Sequence, residues 1–96
     1  MTTVTIKENE ISITGHAGDH DTCTRISTLL AAFQVCTENL YHIDFYFHID
    51  TDAHCYIRNL DVLQNHPQGA VLLESLIYAL YILASEYPKY VRVMCE

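Results

Sequence analysis

Basic residues are scarce in this sequence. The 96-residue chain has 5 lysines and arginines against 12 aspartates and glutamates, which gives a formal net charge of −7. Nucleic-acid binding needs a clustered basic surface, so this balance predicts that the protein binds no nucleic acid. An acidic surface suits a cationic protein or peptide partner, although many such surfaces only keep a protein soluble.

The sequence also lacks an export signal, a membrane-spanning segment and paired cysteines. Met1–Glu10 has no apolar run, so no signal peptide is predicted. The longest apolar stretch, Ala70–Ala84, is interrupted by Glu74 and is too short to cross a bilayer, so no membrane partner is predicted. We expect cytoplasmic, reduced thiols, because the four cysteines lie far apart without a CxxC pair: Cys23, Cys36, Cys55 and Cys95.

No linker, repeat or low-complexity segment divides the chain, so residues 1–96 are expected to form a single domain. The segments "TVTIK" and "ISIT" alternate apolar and polar residues and predict a β-hairpin with its turn at "ENE". The same alternation in "YHIDFYFHID" and "HCYIR" predicts a second strand pair, joined by a turn at "DTDA". The segment "YVRVM" predicts a last strand.

Two helices are predicted from apolar residues at three- and four-residue spacing. The first covers about Thr22–Asn39, and the second about Gln68–Glu86. Before the second helix, "RNLDVLQNHPQG" is predicted to be a loop in which Asn65 or His66 caps the helix and Pro67 lies in its first turn. The order ββαββαβ predicts an α+β fold. We expect two layers, a mostly antiparallel sheet of about five strands with two helices on one face.

The stretch "GHAGDHDTC", residues 15 to 23, lies at the start of the first helix. Asp21 or Thr22 can cap that helix, so Cys23 falls within its first turn. The partial positive charge of a helix N-terminus favours a thiolate, and its free N–H groups are candidates for an oxyanion hole. The preceding strand ends at Gly15, so His16 lies where the backbone leaves the sheet, a short loop before Cys23. Cys23 and His16 therefore suit a nucleophile–base pair, with Ser27 on the same edge of the helix.

Two other interpretations of this stretch stay open on the residues alone. A metal site could use His16, His20 and Cys23 with Asp19 or Asp21 as a fourth ligand, although zinc signatures usually come as two separated pairs. Three further candidate ligands belong to the second strand pair: His42, His48 and His54. The last interpretation is an ordinary polar turn that precedes a helix and performs no chemistry.

The segment Gly15-His16-Ala17-Gly18, followed by Cys23 and then by Ser27, resembles the signature of the ribosomal-processing cysteine protease (Prp) family. The resemblance covers most of the chain. The paired N-terminal strands precede the motif as they do in the family. The C-terminal segment "LLESLIYALYILASEYPKYVRV" is similar to the family's second helix, its "EYP" stop and its closing strand.

The resemblance implies a role for each matching residue. Cys23 corresponds to the nucleophile and His16 to its general base. Ser27 corresponds to a supporting residue of the first helical turns. Gly15 and Gly18 match backbone positions around the histidine. No metal or other cofactor is expected.

The chain departs from the family pattern in two places. The loop between His16 and Cys23 is several residues shorter than is usual in the family. His20 stands three residues before the cysteine, where the family has an aspartate, so Asp21 matches as a supporting residue only through a gap.

The resemblance implies a homodimeric cysteine endopeptidase that removes a short N-terminal extension from a precursor protein. The precursor would be a large-subunit ribosomal protein or a phage capsid or scaffold protein, and its segment at the site would be basic or extended. Tyr78 and Tyr81 on the outer side of the second helix suit a twofold partner. The alternative is a catalytically degenerate homodimeric interaction module with the same fold, which the shortened loop favours.

Overall fold

The computed structural model describes residues 1–50 and 54–96. The predicted N-terminal hairpin is present, since β1 (Thr2–Ile6) pairs antiparallel with β2 (Glu10–Thr14). Val4 lies opposite Ile13, and both side chains are buried. Alternate residues of a strand point to opposite faces, so this register gives the hairpin one apolar face for the core.

The described residues form a five-stranded sheet in the order β3-β4-β2-β1-β5. β3 (Tyr46–Ile49) pairs antiparallel with β4 (Cys55–Arg58), and β4 pairs antiparallel with β2. β5 (Val91–Cys95) is the exception, because it runs parallel to β1. The predicted α+β class with a mostly antiparallel five-stranded sheet is therefore confirmed.

The first long helix begins earlier than predicted and changes character before it ends. α1 spans His20–Gln34, and a π-helix continues it over Val35–Leu40. Thr37 is buried in the π-helix and donates its hydroxyl to the carbonyl of Phe33 at 2.8 Å. The predicted apolar stripe is confirmed in its first part, since the helix buries Ile26, Leu30 and Phe33. It is wrong at its end, because Leu40 is 61% exposed, while Leu29 and Cys36 are half-buried.

The second long helix, α3, spans Pro67–Glu86, one residue from its predicted start. His66 is its N-cap, as predicted, and the Nδ1 atom of His66 accepts the N–H of Gly69 at 3.1 Å. By length and composition alone, α3 is long and apolar enough to cross a membrane, with a mean hydropathy of 1.4. The apolar stretch that the sequence predicted over residues 70–84 was therefore too short. In the fold, α3 contributes leucines to the core: Leu73, Leu76 and Leu80.

The segment before α3 is not the plain loop that the sequence predicts. It contains a short helix, α2 (Leu60–Gln64), which buries Leu60 and Leu63. The start of α2 is held by a residue far away in sequence, because the side-chain oxygen of Asn9 accepts the N–H of Asp61 at 2.9 Å. Asn59, the N-cap residue of α2, makes no side-chain cap hydrogen bond, so the cap comes from the β1–β2 turn instead.

The strand predicted over residues 41–50 is shorter in the structure. Only Tyr46–Ile49 forms a strand, and His42 has a positive φ of 53°. Ile43 is buried as predicted, but its N–H bonds the carbonyl of Thr37 instead of a neighbouring strand. Most of the turn predicted at "DTDA" (residues 50–53) lies outside the described residues.

The core lies between the sheet and the two long helices. It joins apolar residues of β1, β2, β4 and β5 to the inner stripes of α1 and α3. Both long helices pack on the same face of the sheet, as predicted. At the edge of this layer, the ring of Phe33 in α1 packs against Phe45 and Phe47, with centroids 5.9 and 6.3 Å away.

Candidate active site

A groove of about 370 Å³ separates α1 from one end of the sheet. On α1 it extends from Cys23 to Gln34, which is about 16 Å of helix at about 1.5 Å per residue. Its remaining wall comes from the strand ends and the β2–α1 loop. The lining residues are Thr2, Ile13, Gly15, His16, Cys23, Ile26, Ser27, Leu30, Ala31, Gln34, Ile49 and Cys55.

Backbone geometry at Gly15 places His16 on the rim of this groove. Gly15 has a φ of 87°, which favours glycine, and a Cβ atom there would lie 2.6 Å from the carbonyl oxygen of Met1. The Thr2 hydroxyl donates to the Gly15 carbonyl at 3.1 Å. β1 therefore fixes the point where the chain leaves β2, and the following His16 side chain is exposed.

Asp19 caps α1, so the prediction that Asp21 or Thr22 is the cap was wrong. Its carboxylate accepts the N–H of Thr22 at 3.0 Å and the Thr22 hydroxyl at 2.7 Å. The hydroxyl bond, followed by the backbone bond, lowers the pKa of the Asp19 carboxyl. An N-cap side chain reaches the third residue of its helix, and Asp-x-x-Thr places Asp19 at that distance. Asp21 is exposed and does not line the groove.

Cys23 is the fourth residue of α1 and is half-buried in the groove wall. Its N–H already bonds the carbonyl of Asp19 at 3.0 Å, and the N–H of Thr22 is used by the cap. The predicted oxyanion donors are therefore reduced to the first two helical amides. These are the N–H groups of His20 and Asp21, and neither N–H group has a hydrogen-bond partner among the described residues.

The groove brings together the two residues of the predicted nucleophile–base pair. Cys23 lies on the helix wall, and His16 lies on the loop that leads to the helix. Ser27 lines the same wall one turn after Cys23, as predicted. Within the described residues no hydrogen bond joins His16 to Cys23. Hydrogen bonds of this kind are often long without substrate and tighten when substrate binds.

A second cysteine, Cys55, lines the groove from β4. It is only 2% exposed, and burial raises the pKa of its thiol to about 12. The other two cysteines lie elsewhere. Cys36 lines an apolar groove between α1 and α3, and Cys95 is exposed with its Sγ atom 2.8 Å from the Tyr81 hydroxyl. Of the four cysteines, all within the described residues, Cys23 alone both lines this groove and is partly open to solvent.

The metal interpretation finds no support in the arrangement of the side chains. Across residues 1–50 and 54–96, no three histidine, cysteine, aspartate or glutamate side chains come together in a group that could hold an ion. Asp19, one of the proposed ligands, instead holds the start of α1 through Thr22.

Four of the six predicted site residues line the groove: Gly15, His16, Cys23 and Ser27. Asp21 and Gly18 do not, although Gly18 has a positive φ of 83° and so still requires its backbone freedom. Sequence reasoning missed the roles of Thr2, Asp19 and Ile49. The spacing Asp-x-x-Thr was a usable signal for Asp19. The other two residues enter the site only through strand pairing.

The fold built by these elements is similar to that of the ribosomal processing protease Prp. Prp from Staphylococcus aureus, crystallised with a covalently linked product peptide, superposes with a TM-score of 0.87 at 21% identity, over 100% of both chains. The same protein with a substrate peptide gives 0.86 at 21% identity over 100% of both chains. SMU.848 from Streptococcus mutans gives 0.78 at 19% identity, over 99% of this chain and 93% of the other. No family model and no curated relative matches this sequence.

Proposed function

We propose that this protein is a cysteine endopeptidase in which Cys23 is the nucleophile and His16 is the general base. The observation that carries the proposal is the shared groove, where a partly exposed thiol at a helix start lies on the wall next to an exposed histidine. A groove along about 16 Å of helix accommodates roughly five residues of an extended peptide at about 3.3 Å per residue. The fold shared with Prp supports the same reaction class.

In the proposed reaction, a ring nitrogen of His16 accepts the Cys23 proton as sulfur attacks the scissile carbonyl carbon. The C–N bond then breaks, and the leaving amine takes the proton from His16. The N-terminal part of the substrate stays on Cys23 as a thioester. Water that loses a proton to His16 then hydrolyses the thioester. The unpaired N–H groups of His20 and Asp21, in the first turn of the same helix, are candidate donors for the oxyanion.

The proposed substrate is a precursor protein with a short N-terminal extension. The ribosomal processing activity named for the S. aureus protein favours a ribosomal precursor, which the resemblance of the motif specifies as a large-subunit protein, and a phage capsid or scaffold protein is the other candidate. The net charge of −7 favours a basic, extended segment at the cleavage site. The same charge argues against a nucleic-acid partner. Four free cysteines suit a reducing compartment, so we propose that the protein acts in the cytoplasm, without a membrane or a cofactor.

A second copy of this chain is the proposed structural partner. Val71, Tyr78 and Ile82 form an apolar stripe on the outer side of α3 and are 63%, 62% and 56% exposed. A groove of about 510 Å³ next to this stripe is lined in part by Ile77 and Tyr81. An exposed apolar helix face of this kind suits a twofold interface, in which the same surface of two copies meets.

The test incubates the protein with candidate precursor proteins from its own genome and follows their masses. The wild type should release a short N-terminal peptide, and Cys23→Ala should release none. The matched control is Cys36→Ala, because Cys36 lies outside the groove and its loss should leave cleavage intact. Cleavage that persists in Cys23→Ala would refute the proposed nucleophile.

One observation favours the second candidate, a non-catalytic dimeric module. No hydrogen bond joins His16 to Cys23 among the described residues, and the loop between them is short. Under this alternative, the wild type, Cys23→Ala and His16→Ala bind a precursor equally well, and none of them cuts it. Retention of both residues argues against this alternative, since a scaffold needs neither.

A further inference from the structure

β3 is a short edge strand of the sheet, four residues long, and contains no lysine or proline to block its open side. It pairs with β4 on one side and is the last strand in the order β3-β4-β2-β1-β5. Natural proteins commonly block an edge with lysine, proline or a bulge. The β3 sequence Tyr-Phe-His-Ile has neither lysine nor proline, and its last residue, Ile49, is 49% exposed.

The phase of the β3–β4 ladder shows which backbone groups face the open side. The N–H of Asp50 bonds the carbonyl of His54 at 2.9 Å, so this opposed pair is a hydrogen-bonded one. In an antiparallel ladder such pairs alternate, so His48 also directs its N–H and C=O toward β4. Phe47 and Ile49 then direct theirs outward. No other backbone among the described residues pairs with these outward groups.

The open edge leads into the groove that contains Cys23. Ile49 lines the groove together with Cys23, and in the sheet register Ile49, Cys55 and Ile13 lie next to one another across β3, β4 and β2. A chain paired with the outer side of β3 lies three strand spacings, or about 14 Å, from β2, which an extended chain crosses in about four residues. A chain paired with β3 is therefore within reach of the Cys23 thiol.

The charges around the groove favour a basic occupant. Between residues 16 and 50, which include the α1 wall of the groove and the whole of β3, the chain carries five carboxylates and one cation, none of which lines the groove itself: Asp19, Asp21, Glu38, Asp44, Asp50 and Arg25. The guanidinium carbon of Arg25 lies over the ring of Tyr87, 5.6 Å from the ring centroid. A strand added to β3 would place alternate side chains on the helix side, beside Phe47 and Ile49, and the others on the open face of the sheet.

We propose that the substrate binds as a sixth strand on β3, hydrogen-bonded to the outward N–H and C=O groups of Phe47 and Ile49, before its chain crosses the groove to Cys23. The occupant is an extended polypeptide that alternates apolar and basic residues. Main-chain pairing supplies affinity, and the alternate side chains supply selectivity. This inference rests on the proposed endopeptidase function and specifies how that site takes its substrate.

The test uses the Cys23→Ala protein and the synthetic peptide acetyl-Lys-Val-Lys-Val-Lys-Val-amide. Amide hydrogen exchange is measured by NMR with and without millimolar peptide. The amides of Phe47 and Ile49 should exchange about tenfold more slowly with peptide, because each gains one hydrogen bond. The amide of His48 should not change, since it already bonds β4. Unchanged exchange at Phe47 and Ile49 would overturn the proposal.

Two matched peptides separate strand pairing from general adhesion. N-methyl groups on the three valines remove one alternate set of N–H donors, and N-methyl groups on the three lysines remove the other. A sixth strand bonds β3 through only one set, so one peptide should lose the exchange effect and the other should keep it. Equal behaviour of the two peptides would contradict strand pairing. Replacement of the lysines by glutamates should weaken binding.

The outcomes also separate this inference from the proposed function. Exchange is measured in a variant that cannot cleave, so pairing does not depend on the chemistry. Precursor cleavage by the wild type without protection of Phe47 and Ile49 would refute the sixth strand alone. Protection of these amides without any precursor cleavage would refute the endopeptidase alone.

Discussion

Cys55 provides an internal contrast for Cys23, because both thiols line one groove but only Cys23 is partly open to solvent. Burial raises the pKa of the Cys55 thiol from 9.0 to about 12. Each pKa unit is a factor of ten in thiolate, so below pH 9 this rise lowers the thiolate fraction of Cys55 about 1000-fold. Alkylating agents react with the thiolate, so Cys55 should be almost inert in the folded protein.

We expect iodoacetamide at about pH 8 to label Cys23 first among the four cysteines and Cys55 last, and to label native Cys55 about 1000-fold more slowly than Cys55 in urea. The assay stops the reaction at intervals and maps the labelled peptides by mass spectrometry. His16→Ala should slow the labelling of Cys23 and leave Cys55 unchanged. In urea, where burial is lost, the rates should converge. Native rates for Cys23 and Cys55 within a factor of about ten would refute this reasoning.

Three further predictions concern stability and assembly. In urea denaturation, Gly15→Ala should lower the free energy of unfolding by more than the roughly 1–3 kcal/mol of backbone strain, because the added Cβ atom meets a main-chain oxygen at 2.6 Å. The control is Gly18→Ala, whose Cβ atom would meet nothing within 4 Å, so it should show the cost of the strain alone. Because its pKa is lowered in the folded state, ionised Asp19 stabilises the fold at pH values above its ordinary pKa. This stabilisation is lost as the pH falls through the lowered pKa. Asp19→Asn should therefore lose less stability than the wild type between about pH 5 and pH 3, and equal losses would contradict the cap assignment. Light scattering at micromolar concentration should give a dimer mass that Ile82→Glu converts to a monomer, and a monomeric wild type would refute the proposed interface.

Much of the fold could be predicted because its signals are local. The stripe Ile26, Leu30 and Phe33 repeats with the helical period, and His66 before Pro67 marks a helix start. The start of α1 was predicted wrongly, because several capping residues follow one another and the Asp-x-x-Thr spacing that marks Asp19 was overlooked. α2 was missed because it is short and Asn9, 52 residues from Asp61, holds its start.

The site could be predicted only in part, for a related reason. His16 and Cys23 lie in one short stretch, and the family signature draws attention to both. Ile49 and Cys55 become groove residues only when the register of β2, β4 and β3 is known. Hydrophobic alternation extended the predicted β3 back to residue 41. Alternation of this kind does not distinguish a paired strand from the extended segment that precedes it. Ile43 lies in that segment and packs in the core without pairing to a neighbouring strand.

The covalent intermediate on Cys23 tests the central claim most directly. A reaction of the wild type with a cleavable precursor is quenched in acid during turnover, and the protein is mapped by tandem mass spectrometry. The proposed mechanism predicts a thioester at Cys23 with the mass of the N-terminal extension less one water, and no adduct in Cys23→Ala or His16→Ala. Cleavage that proceeds without this adduct and persists in Cys23→Ala would contradict the assignment of Cys23 as the nucleophile.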